Sequence, residues 1–281
     1  MPRNPHPEIE TVRTDFPRSG YRAVIFDFDG TLSLIRRNWQ GLMVPMMVEW
    51  LQQLDTGEAA GRLKQLVEAF VVELTGQPTM VQMQRLADEI RQRGHDAQPA
   101  TYYLDQYQTS LMYQANARIR AVVRGHASPD SMAVAGARRI LSELQHRKLH
   151  LVLASGTELK DVQNELRVLD FDSYFELRVH GPVNQDPKFS KQTVMEQLVR
   201  QGMPAKSLIA IGDGPAEITA IKKVGGLAVG LASNEVTGSG IDPLKREHLI
   251  RAGADIIIGD YRCWQPLLER LGLHDSSVSA A

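Results

Sequence analysis

The chain has 281 residues, 43% of them apolar, and a formal net charge of -1 at pH 7. Such a composition predicts a sizeable core, arranged as one large domain or two smaller ones. A charge so close to zero gives no electrostatic reason to expect nucleic acid or an anionic membrane as a partner. The lone Cys263 excludes an internal disulfide, and no uninterrupted apolar run is long enough to cross a bilayer. We therefore expect a soluble protein of the reducing cytoplasm.

The two ends of the chain contain few apolar residues. Residues 1–20 are polar and proline-rich and include no apolar signal-peptide core, so we expect them to form a flexible arm. Residues 274–281, with the sequence HDSSVSAA, are expected to form a flexible tail.

Short apolar runs with the character of buried strands recur along the chain. Helical patterns separate the later runs, for example SMAVAGARRILSELQHR at 131–147. Apolar strands that alternate with helices are typical of a parallel sheet covered on both faces. Such sheets bind their ligands at the carboxyl ends of the strands. The predicted strands are 21–27, 149–155, 175–181, 207–213, 226–232 and 254–260.

Between the first and second predicted strands the alternation stops. Residues 35–129 show long helical patterns, which are separated by breaks that contain glycine or proline. A crossover of this length exceeds what joins neighbouring strands, so we interpret it as an inserted helical bundle. The predicted fold class is α/β. Residues 21–34 and 130–273 would form a doubly wound, Rossmann-like parallel-sheet core, and residues 35–129 an α-helical cap domain.

The first predicted strand leads directly into two aspartates. In AVIFDFDGTL, residues 23–32, Asp27 and Asp29 are one position apart and a Gly-Thr turn follows. Two like charges at the mouth of a buried strand repel each other unless a positive group lies between them. A single Asp-x-Asp is more often a solvated strand end or a helix cap, so its interpretation depends on features further along the chain.

Three later features accompany the predicted strand ends and helix starts. LVLASGT places the Ser155 hydroxyl ahead of a helix N-terminus, an arrangement that binds anions. DPKFSK places Lys188 and Lys191 just before a helix. IAIGDGPAEI places Asp213 at a glycine-rich turn, with Glu217 facing the same way one helical turn later, which suits a hard divalent cation. Each feature is weak alone, and their order along the chain makes them strong together.

In this order the motifs resemble those of the haloacid dehalogenase-like (HAD) superfamily of aspartyl-nucleophile phosphotransferases. DFDGTL looks like the first motif, LVLASGT the second, the lysine before QTVMEQL the third and GDGPAEI the fourth. The resemblance covers the whole core, and the helical insertion stands where the superfamily's type-one caps lie. The phosphoglycolate phosphatase-like and β-phosphoglucomutase-like members are the most similar in character.

The resemblance implies a role for each residue around the transferred group. Asp27 would be the nucleophile that takes the phosphoryl group as an aspartyl-phosphate. Asp29 would protonate the leaving alcohol and then activate the hydrolytic water. Thr31, Ser155 and Gly156 would contribute to binding the phosphoryl oxygens.

A Mg²⁺ cofactor is also implied by the resemblance. Asp27, the backbone carbonyl of Asp29, and Asp213 would bind the ion, and Glu217 would ligate it directly or through water. The superfamily more commonly has an aspartate where this chain has Glu217.

A lysine would neutralise the charge of the nucleophile and the phosphate, according to the same resemblance. Lys188 fits the spacing to the fourth motif that accompanies type-one caps, whereas Lys191 opens the helix directly. Both remain candidates from the sequence, and we favour Lys191.

The cap is expected to exclude water and to select the leaving group. IRRNWQ offers Arg36, Arg37 and Trp39 just after the nucleophile loop, and TGQPTM offers Gln77 at a break between helices. A basic helix start and a proline-initiated helix start explain these segments equally well. An arginine near the leaving group favours a second anionic moiety, such as a carboxylate or another phosphate.

The function that we expect is that of a Mg²⁺-dependent phosphatase. Its substrate would be a small phosphorylated metabolite, either a sugar phosphate or a phosphoglycolate-like phosphomonoester. A carbon–halogen substrate is disfavoured, because the dehalogenases lack an acid at the position of Asp29. A sugar phosphomutase is the first alternative. More remote alternatives are a phospho-accepting signalling receiver, although receivers are small and uncapped, and a non-catalytic binding protein on the same fold.

Overall fold

A single seven-stranded sheet forms the centre of the computed structural model, which describes residues 9–234 and 240–273. Its strands in chain order are β1 (Ile9–Thr11), β2 (Ala23–Phe26), β3 (His150–Ala154), β4 (Val179–His180), β5 (Leu208–Gly212), β6 (Leu227–Leu231) and β7 (Ile256–Ile258). The spatial order is β1-β7-β6-β5-β2-β3-β4. All neighbouring pairs are parallel except β1 and β7. The chain winds outward from β2 in both directions, which confirms the doubly wound α/β fold.

Helices cover the sheet and form the insertion between β2 and β3. The inserted helices are α1 (Trp39–Gln52), α2 (Ala60–Glu73), α3 (Thr79–Gln92) and α4 (Ala100–Val123). The helices that follow are α5 (Ala137–His146), α6 (Leu159–Val168), α7 (Asp172–Phe175), α8 (Lys191–Arg200), α9 (Pro215–Val224), α10 (Pro243–Ala252) and α11 (Trp264–Arg270). Among the described residues, none of these helices combines the length and apolar character that a bilayer crossing requires.

The central strands are apolar along their whole length because both faces of the sheet are covered. In β2, Val24 and Phe26 belong to the apolar cluster on one face, whereas Ala23 and Ile25 belong to the cluster on the other. Successive side chains of a strand point to opposite faces, so a strand buried on both sides shows no polar alternation.

The inserted helices have a core of their own. Its buried residues include Met43 and Met47 on α1, Val67 on α2, Leu86 on α3 and Tyr103 on α4. Methionine fills irregular gaps between helices well, which accounts for the methionine-rich face of α1. We refer to α1–α4 and their connections as the cap.

Within residues 1–20, the expected flexible arm, one short segment belongs to the sheet. Ile9–Thr11 form β1 and pair antiparallel with β7, and the Ile9 side chain is fully buried. A three-residue strand is too short to show an alternating pattern in the sequence. Residues 1–8 of the expected arm and the expected tail at 274–281 lie outside the described residues.

The predicted strand at 175–181 is also much shorter than expected. Only Val179–His180 form a strand, and Phe175 ends the short helix α7. The Phe175 ring packs edge-to-face against Phe26, with 6.2 Å between ring centroids. The apolar character of Phe175 therefore reflects its place in the core and not membership of a strand.

Candidate active site

Three of the residues singled out in the sequence lie at one edge of the sheet. Asp27 follows β2, Ser155 follows β3 and Asp213 follows β5, and these three strands are neighbours. The backbone N–H of Asp27 donates to the carbonyl of Ile211 at 3.0 Å, so pairing continues into the first motif. The topology therefore collects residues that are far apart in the chain at the carboxyl ends of parallel strands.

Lys191, the first residue of α8, provides the positive charge of the site. Its Nζ lies 2.7 Å from Asp27 Oδ1 and 2.8 Å from Glu217 Oε2, and all three side chains are buried. Burial acts to lower the pKa of Lys191, but the two carboxylates outweigh it and hold the pKa above its ordinary range. Burial raises the pKa of Asp27 to about 7, against the opposing effect of Lys191.

A trio of buried carboxylates adjoins this lysine. Asp27, Asp213 and Glu217 each offer an oxygen, and these oxygens lie within 4.8 Å of one another. Carboxylate oxygens are the preferred ligands of hard divalent cations, and the two lysines that contact the trio, Lys191 and one on α10, do not balance three acids. The trio therefore fits a divalent cation such as Mg²⁺. Glu217 is held in place at the start of α9, because its Oε1 accepts from the Gly214 N–H at 2.6 Å.

Asp29 is oriented differently from Asp27. Its Oδ2 accepts a hydrogen bond from the Thr157 hydroxyl at 2.7 Å, which turns the side chain away from the carboxylate trio. Its Oδ1 is buried and has no hydrogen-bond partner among the described residues. Paired carboxylates can perform different tasks when their surroundings differ, and here one faces a lysine and the other a hydroxyl.

Arg36 lies buried beside Asp29 and is surrounded by acidic side chains. It contacts Glu165 Oε1 at 2.7 and 2.8 Å and Asp161 Oδ2 at 3.3 Å, and its Nε is 3.9 Å from Asp29 Oδ1. Burial raises the pKa of Glu165 from 4.5 to about 7, although Arg36 opposes the rise. Asp29 and Asp161 act in the same direction as burial.

Glu165→Gln is expected to change how stability depends on pH. The unfolded chain releases the Glu165 proton near pH 4.5 and the folded chain near 7. Between these values the unfolded state binds fewer protons, so the free energy of unfolding falls as pH rises. The variant lacks this contribution. We therefore compare the melting temperature of the variant with that of the wild type at each pH. The variant value minus the wild-type value should increase between about pH 4.5 and about pH 7.

Thermal unfolding at several pH values measures this difference directly. Glu68→Gln is a suitable control, because Glu68 is half exposed and forms only an exposed pair with Lys64. If the difference in melting temperature between Glu165→Gln and the wild type stays level or decreases with pH, the raised pKa of Glu165 is contradicted.

The connection between α2 and α3 lies against the sheet edge that carries Asp27, Ser155 and Asp213. We call residues 75–77 the cap loop. A Cβ placed on Gly156 would lie 2.5 Å from the Gln77 carbonyl oxygen, and one on Gly214 would lie 2.9 Å from the Thr75 side chain. Gly76 itself has φ +87°, and a Cβ there would lie 2.7 Å from Glu217 Oε2. The glycines of the second and fourth motifs therefore let the cap close over the site.

Gly76→Ala should push the cap loop away from the core. The added carbon would meet Glu217 and Ala216 at 2.7 and 2.9 Å, and the φ of +87° adds strain. We expect kcat/KM for any substrate to fall by ~10²-fold, because small displacements at a reacting centre have such effects. Gly57→Ala is the matched control, since Gly57 has φ +75° but has nothing within 4 Å of the added carbon. Equal losses of kcat/KM in the two variants would show that the backbone strain of alanine at positive φ is responsible, and not the contact with Glu217.

A cavity of about 70 Å³ lies between the cap and the sheet edge that carries Asp27, Ser155 and Asp213. It has room for on the order of five water-sized positions, so it suits a small ligand. Its core side is formed by Asp27, Asp29, Ser155, Gly156, Thr157 and Asp213, and its cap side by Trp39, Met43, Thr75, Gly76, Gln77, Thr79, Gln82, Tyr107 and Leu111.

A family model described as haloacid dehalogenase-like hydrolase matches residues 21–225, which is most of the chain. The chain belongs to this family. The HAD assignment made from the four motifs is therefore confirmed, and with it the conclusion that the protein is a hydrolase. A search of curated proteins found no match.

Solved HAD structures share the fold at low sequence identity. A predicted phosphatase from Clostridium acetobutylicum has a TM-score of 0.57 and 19% identity, over 90% of this chain and 99% of that one. A predicted phosphoglycolate phosphatase from Haemophilus somnus has a TM-score of 0.56 and 17% identity, over 88% and 97%. β-Phosphoglucomutase from Clostridium difficile has a TM-score of 0.55 and 14% identity, over 90% and 98%.

Three residues predicted to act in this HAD site lie elsewhere. Lys188 is exposed at the surface, whereas Lys191 contacts Asp27, so of these two lysines the structure places only Lys191 beside Asp27. Arg37 is exposed and does not line the cavity. The Thr31 hydroxyl accepts from the Asp213 N–H at 3.1 Å and is fully buried, so it holds the fourth motif in place and does not face the cavity.

The remaining predicted residues line the cavity. Ser155 and Gly156 are on its core side, Trp39 and Gln77 are on its cap side, and Arg36 lines it from the segment before α1. The Ser155 Oγ accepts from the Thr157 N–H at 3.0 Å, which fixes the hydroxyl at the start of the turn before α6.

Several residues of the site were not found from the sequence. The Thr157 hydroxyl, which contacts Asp29, was visible within LVLASGT as a second hydroxyl two positions after Ser155. Lys245 on α10 lies 3.0 Å from Asp213 Oδ2, and no motif indicated it. Gln82 and Tyr107 line the cavity from α3 and α4, where they look like ordinary helix residues.

Proposed function

We propose that the protein is a Mg²⁺-dependent phosphatase that hydrolyses a small phosphomonoester through an aspartyl-phosphate. One observation supports this most strongly: Asp27 lies 2.7 Å from a buried lysine, within a carboxylate trio, and two positions before an aspartate that bonds a different partner. Phosphoryl transfer needs mainly positioning and neutralisation of charge, and these groups supply both.

In the first half-reaction an Asp27 carboxylate oxygen attacks phosphorus. The bond between phosphorus and the ester oxygen breaks, and Asp29 gives its proton to the departing alcohol. In the second half-reaction a water oxygen attacks the same phosphorus while Asp29 takes the water's proton. The bond between phosphorus and Asp27 then breaks, which releases phosphate and restores both aspartates to their starting states. Acid–base help of this kind typically contributes ~10²–10⁴-fold.

The neighbouring residues hold the reacting groups in place. Lys191 offsets the charge of Asp27 and of the incoming phosphoryl group. Ser155 and the backbone N–H of Gly156 stand in the turn before α6, where a hydroxyl and an N–H group suit phosphoryl oxygens. The Thr157 hydroxyl keeps Asp29 apart from the trio and ready to exchange a proton with the leaving group.

The metal would be held by Asp27, Asp213 and Glu217, together with the backbone carbonyl of Asp29. When bound, Mg²⁺ supplies positive charge between the nucleophile and the phosphate. The side chain of Asp29 belongs to the acid–base pair and not to this ligand set.

A phosphate-release screen tests the proposal. The panel covers sugar phosphates, nucleotides, phosphoglycolate and other phosphorylated acids, each with and without Mg²⁺, and Asp27→Asn is the blank. Release of phosphate that requires Mg²⁺ and Asp27 supports the proposal, and no release from any ester, or release unaffected by either change, overturns it.

The mutase alternative is tested in the same experiment. It is kept because β-phosphoglucomutase from Clostridium difficile shares the fold over 90% of this chain. A mutase would convert a hexose 1-phosphate to the 6-phosphate, whereas a phosphatase would release free phosphate.

A further inference from the structure

Arg36 does not offer the cavity an unbalanced positive charge. Its guanidinium contacts Glu165 at 2.7 and 2.8 Å and Asp161 at 3.3 Å, with Asp29 Oδ1 at 3.9 Å. Three carboxyl groups surround one guanidinium, and even with Glu165 and Asp29 protonated the Asp161 carboxylate balances its charge. A second anion on the substrate would meet no excess positive charge here. The expectation that this arginine selects an anionic leaving group is therefore not supported by its surroundings.

Two neutral polar side chains on the cap, Gln82 and Tyr107, face the same cavity. Each residue is only 3% exposed, and no hydrogen bond joins its side chain to another described residue. Neither has a fully enclosed polar atom without a partner, so the polar atoms of both side chains are open to the cavity. Buried amides and hydroxyls are almost always hydrogen-bonded, since leaving them unpaired costs free energy. Because both side chains line the cavity, a ligand is the natural partner. An amide and a phenol each donate and accept hydrogen bonds, as the hydroxyl groups of an alcohol do.

Part of the cap side is apolar. Trp39, Met43 and Leu111 line the cavity beside these two polar residues. Such a surface suits the carbon–hydrogen faces of a small polyol or sugar, whose hydroxyls then reach the polar groups. Apolar walls with a few convergent polar groups are typical of small-molecule sites.

We propose that the cavity binds a neutral, hydroxylated leaving group of the polyol or sugar type, and that Gln82 and Tyr107 determine this specificity. The inference rests on the proposed phosphatase function and narrows its substrate class. It places polyol or sugar phosphates above esters that carry a second carboxylate or phosphate.

Matched pairs of esters test the substrate class. Glycerol 1-phosphate is compared with 3-phosphoglycerate, and glucitol 6-phosphate with 6-phosphogluconate, because in each pair a hydroxymethyl group is replaced by a carboxylate. The comparison uses the pair that is hydrolysed faster. In that pair kcat/KM should be at least ~10-fold higher for the neutral ester than for the carboxylate ester, because a site that binds hydroxyls rejects analogues that leave its polar side chains unpaired. Equal values, or a preference for the carboxylate, overturn the inference while leaving the phosphatase function in place. If neither pair releases phosphate, the inference fails. The proposed function fails as well only if no ester of the wider panel, and not p-nitrophenyl phosphate either, releases phosphate.

Two variants test the residues independently. Gln82→Leu and Tyr107→Phe should each raise KM for the neutral ester and reduce its advantage over the carboxylate ester at least ~5-fold, because each removes a hydrogen bond to the leaving group. Gln84→Leu and Tyr113→Phe are matched controls on the same two helices, and their side chains are exposed. The controls should keep the wild-type ratio. A ratio that is unchanged in both test variants, or reduced equally in the controls, would overturn the assignment.

Discussion

Asp27→Asn is expected to abolish phosphate release, with a loss of at least ~10⁴-fold in kcat, the range seen when the nucleophile of a concerted site is removed. The amide has nearly the same size as the carboxylate but cannot form a stable bond to phosphorus. Asp27 also belongs to the carboxylate trio and lies 2.7 Å from Lys191. The substitution therefore removes both the nucleophile and one ligand of the proposed cation.

Two measurements separate these effects. Acid quenching during turnover, followed by mass spectrometry, should find one added phosphoryl group on the peptide that contains Asp27 in the wild type and none in the variant. Mg²⁺ binding measured by calorimetry should be weakened in the variant. Asp170→Asn is the control, because Asp170 is the exposed first aspartate of the chain's other Asp-Phe-Asp triplet. A phosphoryl group on any other residue, or turnover retained by Asp27→Asn, would remove Asp27 from the proposed role.

The residues at the sheet edge could be predicted from the sequence because parallel strands bring their carboxyl ends together. A buried apolar strand followed by a polar residue fixes where that residue lies, since all such strands end at the same edge. Asp27, Ser155 and Asp213 were found in this way. Lys191 was favoured over Lys188 because it opens α8, and the structure places it against Asp27.

The residues that face the leaving group could not be found in this way. Gln82 and Tyr107 lie on cap helices, where a periodic pattern does not distinguish a cavity from a packed core. The sequence also gave no sign that Arg36 is neutralised, because Glu165 is 129 positions away in the chain. The sequence shows that Arg36 carries a positive charge. It does not show which acidic side chains lie beside the guanidinium, because these contacts form only in the folded chain.

The edge strand β1 escaped prediction for a different reason. Ile9 is the first of only three residues that pair with β7, and polar residues surround it in the sequence. Its burial depends on a partner strand more than 240 positions away, with Ile9 opposite Ile258. Short edge strands of this kind take their conformation from the sheet that they join and not from their own pattern.

Lys191→Met is the second substitution with a large expected effect, and it acts on stability as well as activity. The methionine fills a similar volume but leaves Asp27 and Glu217 without the ammonium that lies 2.7 and 2.8 Å from them. Removing one member of a buried ion pair typically lowers the free energy of unfolding by about 3–5 kcal/mol. Loss of a charge that stabilises the transferring phosphoryl group should in addition lower kcat by ~10²–10³-fold.

The exposed Lys188 provides a control three positions away, since Lys188→Met removes the same charge without touching the carboxylate trio. Urea unfolding and kcat, both measured on Lys191→Met and Lys188→Met, give four values to compare. We expect both losses in Lys191→Met and neither in Lys188→Met. A stable Lys191→Met with normal kcat would mean that the buried acids are balanced by something other than this lysine. Equal effects in the two variants would mean that the overall charge of this segment matters, and not the contact with Asp27.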